Sequence, residues 1–93
     1  MFVRIVGITT EMTQSPQSHY VPLPYARPPQ KSWSGLVESC AALCTWVIDI
    51  DESLVEITPW FIPPKYVDAM QASIETLEKN GHPIPVHTIR RDA

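Results

Sequence analysis

Residues 63–83 leave the chain almost no choice of structure. Pro63-Pro64 opens a segment in which Tyr66, Met70, Ile74 and Leu77 recur at helical spacing, with Ala69 and Ser73 beside them. Proline's locked φ suits a first helical turn, where its missing N–H has no partner to lose. The apolar residues make one stripe, and Lys65, Asp68, Gln71, Glu75 and Glu78 lie largely off it. Asn80-Gly81 ends the run, because glycine accepts the left-handed cap, and Pro83 forbids continuation. An amphipathic helix must bury its stripe against something, so the rest of the chain has to supply a sheet or a second helix.

The preceding stretch supplies sheet. Trp46–Asp51 and Leu54–Phe61 are rich in β-branched and aromatic residues and flank the polar break Asp51-Glu52-Ser53. Read as a hairpin turning at Glu52-Ser53, this places Ile50 opposite Val55, Asp49 opposite Glu56, Ile48 opposite Ile57 and Trp46 opposite Pro59. One face is then wholly apolar, and the other carries Val47, Asp49, Glu56 and Thr58. A one-residue slip would bring Glu56 onto the apolar face, so the pattern selects this register.

Toward the N-terminus, Phe2–Thr9 reads as a strand, Val3, Ile5 and Gly7 on one face and Phe2, Arg4, Val6 and Ile8 on the other. Both faces are largely apolar, which predicts a central position. Residues 10–32 form a long Pro- and Tyr-containing loop, in which His19–Tyr25 can make a short edge strand or an extended segment. Ser32 or Ser34 can cap a second helix running to about Thr45, with Leu36, Val37, Cys40, Leu43 and Cys44 on its stripe. Ala41-Ala-Leu-Cys44 also suits a buried strand, but the strong helix formers there favour helix. Ile84–Ile89 reads as a last strand, held to pairing on one side by Pro85, and residues 90–93 as a frayed tail.

The resulting order is β-α-β-β-α-β in one small α+β domain spanning residues 1–93. This is the split βαβ, or ferredoxin-like, pattern: a four-stranded antiparallel sheet with two helices on one face and a long Pro-rich loop after the first strand. Such an architecture hosts many functions and assigns none.

Charge narrows the partners. The net charge is −3, and between Lys31 and Lys65 there is no basic residue while Glu38, Asp49, Asp51, Glu52 and Glu56 all fall there. Phosphate contacts need a basic footprint, so nucleic acid is not the expected ligand. No apolar run reaches the roughly 18 residues that span a bilayer, so no membrane is expected. The N-terminus lacks a leader pattern, which points to the cytoplasm, where Cys40 and Cys44 would remain thiols.

Three constellations could carry chemistry. In the predicted hairpin Asp49 and Glu56 face each other at about 5 Å between Cβ atoms, an arrangement that needs compensation. Asp51 joins them at the strand end, and the predicted strand order brings Arg4 and His87 close. This group could hold a hard cation or a partner's basic group, or be a plain surface ion pair between Arg4 and Glu56 with Asp49 solvated. Cys40 and Cys44 with His82 and His87 are zinc-ligand types, but residues 45–81 separate the pairs, far beyond finger spacing, so no metal site or other cofactor is expected. Lastly, Trp33 and Trp60, with Tyr20 and Tyr25, could anchor an interface.

No nucleophile elbow, P-loop, zincin or dinucleotide motif occurs. The expected function is therefore a small non-catalytic interaction protein, an adaptor or an inhibitor of a basic site. It would bind a protein partner or itself through the outer sheet face and the Pro-rich loop. The alternatives are a small-molecule or metal-binding domain, or an enzyme, built on Asp49 and Glu56, and a structural homo-oligomer.

Overall fold

The computed structural model describes residues 1–91. It contains β1 (Phe2–Thr9), β2 (Tyr20–Pro22), β3 (Ala41–Asp51), α1 (Pro64–Lys79) and β4 (Val86–Ile89), with short 3-10 turns at Gln17–His19 and Glu52–Leu54. β3 is the centre of the sheet. β1 pairs with it antiparallel along one side. The other side is shared: β2 lies antiparallel to Ala41–Leu43, and β4 lies parallel to Val47–Ile50.

Among the described residues α1 is the one α-helix, so the two-helix ferredoxin-like arrangement is overturned. The second helix expected over residues 34–45 is strand from Ala41 onward. Its start shows why. Gly35 holds φ at +71°, outside helical space. Ser34, one of the two expected caps, is buried, and its hydroxyl donates to the Pro24 carbonyl (2.6 Å) and accepts from the Leu36 N–H. Beyond it, the largely apolar run from Ala41 to Ile48, interrupted only by Thr45, is walled in by strands on both sides, so tertiary burial overrides the helix propensity of its alanines.

The hairpin is overturned with it. Both sides of β3 are occupied, so residues 54–61 have no strand to pair with. The chain leaves β3 through a tight turn in which the Asp51 carboxylate accepts from the Ser53 N–H and hydroxyl. It then runs as coil toward α1, with Phe61 N–H donating to the Trp33 carbonyl (3.0 Å). β1 lies at a sheet edge rather than the centre, and β4 pairs with β3 rather than with β1.

The expected helix forms. Gly81 (φ +83°) ends it as the sequence implies, the His82 N–H bonding the Leu77 carbonyl (2.9 Å) and the Gly81 N–H the Glu78 carbonyl (3.1 Å). As the crossover between parallel β3 and β4, α1 lays its stripe on one sheet face. Tyr66 and Met70 pack with Val6, Val21, Leu36 and Ile62 around buried Leu23, Cys40 and Ala42. Within the Pro-rich loop, Tyr20 is buried and its hydroxyl accepts from the Ser15 N–H, so β2 is the edge-strand form of that segment. At the C-terminus the Arg90 guanidinium sits 5.4 Å from the Phe2 ring centroid. Residues 92 and 93 of the expected frayed tail lie outside the described residues.

Candidate functional site

The irregularity between β1 and β3 decides which side chains reach which face. Val6 pairs with Val47 and Ile8 with Ala42, so Gly7 alone spans the length that Leu43–Trp46 occupies on β3. The extra residues bulge β3 and flip its alternation. Ala42 before the bulge and Cys44 within it face α1, and Val47 faces it after, at 2 % exposure. Trp46 is thrown to the opposite face, where its indole lies over Gly7; a Cβ on Gly7 would overlap the ring.

The predicted polar group separates under this geometry. Arg4 pairs with Asp49 in the ladder, and the two form a forked ion pair, Nε to Oδ1 at 2.8 Å and Nη2 to Oδ2 at 3.0 Å. They share the helix-side face with Val6 and Val47, not the outer face. The hydrogen bond from Arg4 holds the Asp49 carboxyl below the usual carboxylate range, and the same bond raises Arg4, with Glu78 of α1 adding to the field. Asp51 is lowered mainly by the Ser53 N–H, which fixes the turn. Glu56 lies in exposed coil and is not across from Asp49, so the facing carboxylates expected of the hairpin do not form. His87 is opposite Ile48 on β4, on the outer face and away from Arg4.

Among the described residues no three His, Cys, Asp or Glu side chains gather as a metal site. Cys40 and Cys44 are both buried. Burial pushes both thiols up, with Glu38 adding to the shift at Cys40 and a hydrogen bond to Ser73 opposing it at Cys44. A raised thiol carries little thiolate and is a poor nucleophile. His82 meets the buried ring of His19 edge-on at 5.8 Å between centroids.

The outer face of the sheet is the larger feature. Register places Val3, Ile50 and Ile89 in one row across the three strands, and Ile5, Ile48 and His87 in the next. Gly7 and Trp46 follow. Among the described residues the single α-helix lies on the other side, so no helix there covers these rows. Ile5 is 37 % exposed, Trp46 43 % and Ile89 44 %, high values for large apolar side chains on a sheet. Comparison with protein-family models, with curated proteins and with solved structures finds no match. The site is therefore read from its own geometry.

Of the expected aromatic anchors, Tyr20 is buried and structural, whereas Tyr25, Trp33 and Trp60 are exposed. Trp33 is 75 % exposed and tilts against Phe61 at 5.7 Å between centroids. Trp60 lies over Gly35 and walls a cleft of about 340 Å³ with Pro28, Pro29, Leu36 and Val37. The face formed by Val3, Ile5, Ile48, Ile50 and Ile89 escaped the sequence reading, which had Ile48 and Ile50 in the core. One signal could have found it: a sheet with apolar residues on both faces and only one strongly amphipathic helix must leave one face open.

Proposed function

We propose that this chain is a non-catalytic interaction protein that binds an apolar surface of a protein partner through the open face of its sheet. The observation that carries the reading is the two rows Val3–Ile50–Ile89 and Ile5–Ile48–His87, extended by Trp46, on a face with no helix over it. Contiguous exposed apolar patches on small domains mark interaction sites. Burying this one supplies the driving force, at about 25 cal/mol per Å² removed from water. The carboxylates Asp49, Asp51 and Glu56 do not gather on this face, so the complementary surface is apolar rather than basic. The raised thiols of Cys40 and Cys44 favour binding over covalent chemistry. No helix among the described residues is long and apolar enough to cross a membrane.

The test is photo-crosslinking inside the producing cells. A crosslinking amino acid replaces Ile48 or Ile50 on the open face, or Glu75 on the exposed side of α1. Discrete crosslinked products from the two isoleucine positions and none from Glu75 are expected. Equal labelling from all three positions, or none from the face, would overturn the reading.

A further inference from the structure

The open face ends at an open edge. β1 pairs with β3 on one side, and among the described residues no strand pairs with its other side. The Glu52 N–H donates to the Met1 carbonyl (2.9 Å), which fixes the phase of the ladder. In an antiparallel pair the bonded positions alternate. Met1, Val3 and Ile5 therefore turn their amides toward β3, and Phe2, Arg4 and Val6 turn theirs outward. The bulge lies on β3, so β1 itself stays extended through all eight residues, a row roughly 26 Å long at strand rise.

Proteins guard such edges with prolines, short strands, inward charges or a covering loop. The opposite edge has these guards: β2 and β4 are three and four residues long, with Pro22 and Pro24 at one and Pro83 and Pro85 before the other. β1 has no proline. Its one charge, Arg4, is tied to Asp49 within the same molecule.

We propose that the free edge of β1 takes β1 of a second copy of this chain, antiparallel about a two-fold axis, joining the two sheets into one. The axis is perpendicular to the sheet, so residues of like face must meet. Centred on Ile5, the pairing sets Ile5 against the second copy's Ile5, Arg4 against Val6, Val3 against Gly7 and Phe2 against Ile8. Outward amides then bond outward carbonyls, no like charges meet, and apolar pairs stack across the seam. Centring on Arg4 would oppose two guanidinium groups, which disfavours that register. The joined sheet doubles the apolar face, so the inference extends the proposed function without depending on which protein that face binds.

Two measurements decide it. In sedimentation, the mass should rise from one chain to two with concentration. By hydrogen exchange, the amides of Phe2, Arg4 and Val6 should slow by about tenfold or more in concentrated relative to dilute protein, while amides already bonded within the sheet do not change with concentration. Ile5→Lys and Ile5→Glu, on an exposed position, should each be monomeric, and mixing them should restore the dimer. A monomer at every concentration overturns the edge pairing and leaves the open-face reading to its own crosslinking test. A dimer in which those three amides exchange as fast as in dilute protein also overturns it, because the contact then lies elsewhere.

Discussion

The two faces of the sheet share strands and differ in what lies over them. On one, Val47, Ala42 and Cys44 are sealed beneath α1 and the loop bearing Leu23 and Leu36. On the other, Ile5 is exposed and Ile48 and Ile50, equally apolar, are only partly buried. Neighbouring residues of one strand, Val47 and Ile48, thus belong to different tasks. The first holds the monomer together, and the second is available to another chain. Hydrophobicity alone does not distinguish them; the position of the single helix does. The edges repeat the contrast, one broken into short proline-flanked strands and the other long and unguarded.

Substitutions on adjacent residues test that contrast, and the largest effect is expected at Val47. Val47→Asp forces a carboxylate into a 2 % exposed site whose nearest cation in the ladder, Arg4, is already paired with Asp49, and should cost about 3–5 kcal/mol, enough to unfold much of the population as followed by circular dichroism. Gly7→Ala comes next. Its methyl group must displace the Trp46 indole, and the loss should be about 1–3 kcal/mol in urea unfolding, with a change in tryptophan emission. Ile48→Thr keeps β-branching on a partly buried position. It should lower the stability measured by urea unfolding by no more than about 1 kcal/mol, yet weaken crosslinking from the neighbouring Ile50 position. If Ile48→Thr cost as much as Val47→Asp, the two faces would not differ as described.

The smallest effect concerns the Arg4–Asp49 pair at the margin of the helix-side face. Its folded carboxyl is lowered from the ordinary value of 3.8. A lowered folded value means that the stabilisation is present above the unfolded value and is lost as pH falls through the folded one. Wild-type Tm should therefore drop more than that of Asp49→Asn as pH is taken from neutral to below 3.8. The difference should be small and should shrink further in salt, because both side chains are in contact with solvent. Equal slopes for the two proteins would show that the ion pair does not act on stability.

Much of the local structure was legible. The stripe Tyr66–Leu77 between Pro64 and Gly81 marks α1, and the β-branched run Phe2–Thr9 marks β1, because in both the local pattern and the tertiary role agree. The run Ala41–Cys44 misleads, since alanine and leucine serve a helix or a buried strand equally well and only the walls around them choose. Leu54–Phe61 misleads for the converse reason: it has strand composition but finds both sides of β3 taken. The candidate site was least legible. Arg4 was expected on the outer face with Glu56 as its partner, whereas it pairs with Asp49 on the helix-side face, because the bulge opposite Gly7 changes the parity of β3 and nothing in the local pattern announces it.

The sequence by itself determined the helix, its two ends, the strand β1 and the presence of more apolar surface than one helix can cover. These follow from dihedral limits at proline and glycine and from periodicity, which act within a few residues. Only the tertiary structure decided that β3 is central, that Asp49 answers Arg4 rather than Glu56, and which apolar face stays open. Those depend on which strands take the two sides of β3 and where its register slips, and long-range pairing settles them only when the whole sheet has formed.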